Sequence, residues 1–163
     1  MVLRRSYFGV VGFIMVMGLM FLGAQAADAA DYYWVGVDNV WATDSNWNTV
    51  AAGGGCVGGD YSGSVPGVGD RAIFDSNCTA DVTITASTNI DILETQASYT
   101  GTITQAGTLD VDGAVIIVSS ATLNSAGFDL TVGGAWTNSG TYTSGLNTVT
   151  FDGASGTQTV ITG

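Results

Sequence analysis

The chain has 163 residues, of which only 10% are charged, with 14 Asp and Glu against three Arg, no Lys and no His, a formal charge of −11. That balance excludes Ser-His-Asp and Cys-His catalysis, which need an imidazole base. It also sets the surface against phosphate backbones, so nucleic acid is not an expected partner.

In chain order, residues 1–26 have the three parts of a secretory signal peptide. Arg4 and Arg5 form the positive start, Tyr7 to Gly23 is apolar and uncharged, and Ala24-Gln25-Ala26 supplies the small-x-small cleavage pattern, with Ala27-Asp28-Ala29 as a second box. The competing reading is a retained anchor, since the apolar run approaches the roughly 20 residues of a spanning helix. An uncleaved signal would be the only expected membrane contact. Cleavage leaves all the acidic residues against Arg71 alone, a formal −13, and implies a secreted or cell-surface product. The acidic balance serves solubility or attracts divalent cations.

Residues 27–79 form an irregular, Gly-rich head. Trp34, Trp41 and Trp47 fall within fourteen residues, beside Tyr32, Tyr33 and Tyr61. Such a cluster either caps the first open layer of a repeat fold or stacks on sugar rings as a carbohydrate-binding module. Cys56 and Cys78 are the only cysteines; an even count in an exported chain points to one disulfide. A metal site is the alternative, although no His or further Cys completes a ligand set.

From residue 80 to 163, polar and apolar residues alternate with period two, as in Val82-Thr83-Ile84-Thr85 and Thr148-Val149-Thr150-Phe151. Three segments repeat: 101–114, 121–135 and 140–154. Aligned, they place Ile103, Leu123 and Tyr142 in one column, Leu109, Leu130 and Val149 in a second, and Val111, Val132 and Phe151 in a third. Gly113-Ala114, Gly134-Ala135 and Gly153-Ala154 share the turn positions, where positive φ is expected of the glycine. A period near 20 residues predicts an all-β, right-handed parallel β-solenoid with two strands per repeat, the columns stacking about 4.8 Å apart. The alternative is an antiparallel β-sandwich.

Two patterns on these coils concern ligands. Asp110-x-Asp112-Gly113 is similar to the start of a calcium loop, but the later oxygen ligands and the twelfth-position Glu are absent. Calcium is thus the one ion considered, and no other cofactor is expected. Thr83-x-Thr85, Thr102-x-Thr104, Thr141-x-Thr143 and Thr148-x-Thr150 would array hydroxyls on one face, as ice-binding solenoids do. Asn124-Ser125 and Asp129 intervene, so a broken face is expected. Thr157 to Gly163 reads as a further alternating strand. The expectation is therefore the N-terminal portion of a longer solenoid, or self-association through the C-terminal edge.

Trp34-Val35-Gly36, Asn46-Trp47, Val65-Pro66-Gly67-Val68-Gly69-Asp70 and Ile73-Phe74-Asp75 occur in an order that resembles the head of bacterial secreted β-helix surface proteins, the adhesin and autotransporter-passenger type. Thr108-Leu109-Asp110-Val111-Asp112-Gly113 and Thr148-Val149-Thr150-Phe151-Asp152-Gly153 are similar to the coils that follow such heads. The resemblance implies a structural or adhesin-type scaffold; extracellular polysaccharide enters as a partner only through the tryptophan cluster of the head. An enzyme is not expected. Polysaccharide lyases of β-helix type rely on basic residues near calcium, which Arg71 alone does not reproduce. Glycosidases need paired carboxylates at about 5 Å or 6.5–9.5 Å, whereas the Asp residues here are scattered and Glu94 is the sole Glu.

Overall fold

A computed structural model of the chain describes residues 29–51, 55–56, 62–154 and 157–163. The predicted signal peptide and Tyr61 lie outside them. No helix among the described residues is long and apolar enough to cross a membrane.

The head contributes β1 (Asp31–Trp34), a 3-10 turn at Asp44–Asn46 and β2 (Trp47–Asn48). The first coil then runs through β3 (Arg71–Phe74), β4 (Val82–Ile84) and β5 (Thr88–Ile90), and the second through β6 (Ile92–Thr95), β7 (Thr102–Gln105) and β8 (Leu109–Val111). The third holds β9 (Val115–Ile117), β10 (Thr122–Asn124) and β11 (Leu130–Val132). The fourth holds β12 (Trp136–Asn138), β13 (Thr141–Thr143) and β14 (Val149–Phe151), and β15 (Val160–Thr162) follows. From β3 onward strands three apart in sequence pair, and β1 and β2 add to the β3 edge, giving a seven-stranded first wall (β15-β12-β9-β6-β3-β1-β2), a second wall (β13-β10-β7-β4) and a third (β14-β11-β8-β5). The fold is a β-solenoid, and the sandwich is excluded because every pairing except β1–β2 is parallel.

The three predicted columns are the stacked columns of the core. Leu123 lies between Ile103 and Tyr142, Leu130 between Leu109 and Val149, and Val132 between Val111 and Phe151. They extend down to Val82, Thr88 and Ile90 in the first coil. The aliphatic members from the first to the third coil are buried completely, and Thr88 partly, each buried aliphatic side chain contributing roughly 1.5–3 kcal/mol.

Two expectations are corrected. Each coil has three strands, not two, because the first wall continues directly after the Gly-Ala corners. There Ala72, Leu93, Val115, Trp136 and Val160 form a further inward column. The corner glycines are also needed for another reason. None of Gly113, Gly134 and Gly153 has positive φ. A Cβ on Gly113 would lie 2.7 Å from the Asp91 carbonyl oxygen, and one on Gly134 would lie 2.6 Å from the Gly113 carbonyl carbon. The coils approach backbone to backbone at this corner, which no larger residue permits.

Candidate functional site

The head closes the lower end of the solenoid. Trp34 faces Trp47 across the β1–β2 pair, with ring centroids 5.2 Å apart. Trp41 stands 4.7 Å from Trp47, and Phe74 of the first coil lies 5.7 Å from Trp47. Edge-to-face contacts of this kind add to the area effect. Exposure is 1% for Trp34, 3% for Trp41 and 0% for Trp47, so the indole faces are turned into the core. The Trp34 indole N–H donates to the Ala80 carbonyl (3.1 Å) and that of Trp47 to the Trp41 carbonyl (2.8 Å).

The loop between β1 and β2 is held by buried Asn46, whose side-chain oxygen accepts the Val37 and Asp38 N–H groups and whose amide donates to the Val40 carbonyl and the Asp38 carboxylate. That amide bond is the main cause holding the Asp38 carboxyl below its ordinary value. From this loop Val40 bridges Thr83, and Trp41 N–H donates to the Thr83 carbonyl at 3.0 Å, while Asn39 accepts the Thr83 N–H at 2.9 Å. The lower edge of the second wall is thereby paired rather than open, as an edge strand requires.

The head motifs serve this closure. Gly36 has φ of +53°, and a Cβ there would come within 2.8 Å of the Cys78 sulfur and 2.9 Å of the Trp34 indole nitrogen. Asp70 accepts from the Ala30 N–H (3.1 Å) and the Gly67 N–H (3.0 Å), joining the chain start to the Val65–Asp70 turn. Cys56 and Cys78 form the predicted disulfide, with Cα atoms 4.6 Å apart.

Charged groups elsewhere are engaged locally. The Arg71 guanidinium bonds Glu94 and lies 3.6 Å from Asp31 on the outer face of the first wall. The Glu94 bond raises the Arg71 pKa further. The Asp110 carboxylate accepts the Asn89 amide at 3.0 Å, and Asp112 bonds the Ile90 carbonyl through its backbone N–H at 2.9 Å. Among the described residues no group of three or more His, Cys, Asp or Glu could hold a metal ion.

Shallow hollows mark the surface of the described residues. A groove of about 720 Å³ runs along one corner past Ser98, Thr100, Ile116, Ser120 and Thr137. A smaller one of about 330 Å³ lies between Trp41, Pro66, Val68 and Asn89. At the far end the same inward columns become exposed: Phe151 is 41% and Val160 51% exposed, and Trp136 packs edge-on against Tyr142 at 5.1 Å.

The sequence undervalued one surface. On the second wall Thr83, Thr102, Thr104, Thr122, Asn124, Thr141 and Thr143 all point outward, opposite the buried members of their strands. Thr122 stacks between Thr102 and Thr141, and Asn124 between Thr104 and Thr143. The expected interruption is corrected to a single Asn, because Thr122 fills the gap that the Thr-x-Thr spacing overlooks. Ser125 is buried, Asp129 flanks the third wall, and Thr148-x-Thr150 belongs to that wall too.

Compared with protein-family models, curated proteins and solved structures, the chain has no significant match.

Proposed function

We propose that this chain is a non-enzymatic scaffold of the bacterial adhesin or autotransporter-passenger type, exported and acting at the cell surface or in the medium. The observation that carries the reading is the use of its aromatic and charged groups in holding coils together. The three indoles fill the head, Arg71 neutralises Glu94, and Asp70, Asp81 and Asp129 accept backbone N–H groups of neighbouring segments. What remains is a rod of stacked strands that presents surfaces. Further coils or a second chain are its natural partners at the last coil, where Phe151 and Val160 stand exposed. The disulfide fits an oxidising compartment.

A carbohydrate-binding module using Trp34, Trp41 and Trp47 would have to expose rings that are at most 3% accessible, which weighs against it. The test is to express the full chain in a bacterial host, fractionate the cells, and sequence the N-terminus of the product. The scaffold reading expects a chain starting after Ala26 or Ala29, outside the cytoplasm, and silent on a glycan array. A product kept in the cytoplasm, or one with strong glycan-array binding, would sink it.

A further inference from the structure

We infer that the outer face of the second wall is an ice-binding plane. Its seven outward residues are six Thr and one Asn, arranged in two columns over four strands whose pairing continues without a register slip. Neither other wall is like it. The third presents Asn89, Asp110, Thr131 and Thr150. The first presents Tyr33, Glu94, Ile116, Thr137 and Ile161, with Ile73 of the same column buried. In a chain with 14 acidic residues, these seven positions carry no charge; Asp81, which continues the Thr102 column just before β4, turns its carboxylate onto the Thr102 N–H at 2.7 Å at the lower border of the face. A neutral face repeating in two dimensions suits a neutral ligand that repeats in two dimensions.

The hydroxyls are also free to serve such a ligand. Among the described residues, those of Thr83, Thr102, Thr104, Thr122, Thr141 and Thr143 bond no protein group. Some threonines elsewhere spend theirs internally, Thr43 on Asp38, Thr88 on Ala86, Thr95 on Ile116 and Thr108 on Ser87, while the unbonded Thr131, Thr137 and Thr150 stand singly or in pairs among other residue types on their walls.

The spacings favour an ordered water lattice. Along the rod the hydroxyls repeat with the strand spacing of about 4.8 Å, and along each strand with two residue rises, about 6.6 Å. Water oxygens hydrogen-bonded tetrahedrally at about 2.75 Å have second neighbours about 4.5 Å apart and a stacking repeat of about 7.3 Å. Across three strand steps the accumulated offset is about 1 Å, well under one hydrogen-bond length. Four strands can therefore sit on such a lattice with each hydroxyl near a water site and the threonine methyls filling the spaces between. This inference is independent of the scaffold proposal, since an enzyme or adhesin built on the same coils would keep the face.

The test is ice itself. The purified full chain, labelled with a fluorophore at its amino terminus, is frozen slowly into an ice hemisphere beside a labelled protein that does not bind ice. The wild-type chain is expected to enter the ice and stain defined planes. Thr122→Tyr, which places a ring in the middle of the face, is expected to reduce incorporation at least tenfold. Thr131→Tyr, at an outward position of the third wall, should leave it unchanged. Circular dichroism checks that each variant is folded, and Thr143→Tyr at the exposed end of the face replaces Thr122→Tyr if that one is not. Exclusion of the wild-type chain from ice would overturn the inference. Equal loss in both walls would do so too, as would adsorption to microcrystalline cellulose without entry into ice, which would assign the face to a polysaccharide.

Discussion

The Ala80 carbonyl is where the head and the coils meet. It accepts the Trp34 indole at 3.1 Å and the Tyr99 hydroxyl at 3.0 Å. Burial pushes the Tyr99 phenol above its ordinary value, with the nearby Asp81 charge adding to the effect. A raised phenol pKa favours the neutral folded form. Its stability contribution is intact below the unfolded value near 10 and is lost as pH rises from there toward the folded value. The chain should therefore lose stability above about pH 10, and Tyr99→Phe should flatten that loss while costing only about 1 kcal/mol at pH 7, because Trp34 still satisfies Ala80. Urea denaturation at pH 7 and pH 11 decides it; an unchanged alkaline slope in the variant would refute the assignment. The disulfide acts more broadly. Cys56 and Cys78 are 22 residues apart, a closure worth about 3 kcal/mol in the chain-entropy model. Cys56→Ser with Cys78→Ser should lower Tm by roughly 10 °C, whereas a fall of only a degree or two would mean the loop is held by other contacts.

At the scale of the element, what was legible followed from length and repetition. The Ile103, Leu109 and Val111 columns could be read because each strand of the second and third walls carries period-two alternation that recurs with the same turn. The first wall was not legible. Val115-Ile116-Ile117 is apolar throughout and Trp136-Thr137-Asn138 is apolar only at its first residue, so the two neither alternate alike nor repeat each other. The threonine face was half legible, since Thr122-Leu123-Asn124 breaks the spelling but keeps the register. The glycines were located correctly and explained wrongly, because a sequence shows a recurrent glycine without showing whether conformation or space demands it. The two causes can be separated by substitution. Gly127 has φ of +91° and open space around a Cβ, whereas Gly134 has ordinary φ and would press a Cβ against the backbone of Gly113 and Ala114. Gly127→Ala should cost about 1–2 kcal/mol of left-handed strain. Gly134→Ala should cost about 1–3 kcal/mol and loosen two coils at once. Hydrogen exchange distinguishes them: faster exchange of the Gly134 N–H, which bonds the Gly113 carbonyl at 2.7 Å, is expected only in the second variant.

At the scale of the molecule, the coils form a one-dimensional stack in which each coil is held by the one below and the one above. The two ends are therefore unequal. The lower end is closed by tryptophans and by the Asn39–Trp41 bridge to β4, so the head is needed by the first coil in a way that no middle coil is needed by its neighbours. Excising residues 115–135 would remove β9, β10 and β11 together and join Ala114 to Trp136. Trp136 would then stack on Leu93, Tyr142 on Ile103, Val149 on Leu109 and Phe151 on Val111. These are the columns that the excised Val115, Leu123, Leu130 and Val132 now occupy. Burial lost with that coil is nearly offset by the conformational entropy no longer lost in ordering it. At roughly 0.05–0.15 kcal/mol per residue, the net cost is about 1–3 kcal/mol. The shortened chain should thus remain β-rich and unfold cooperatively in urea, with an m-value reduced in proportion to the surface removed. Deleting the head strands instead, residues 31–48, should expose Phe74 and the β4 edge and drive the chain into aggregates. If the coil deletion fails to fold while the head deletion stays monomeric, stability does not reside in nearest-neighbour stacking closed by an aromatic cap.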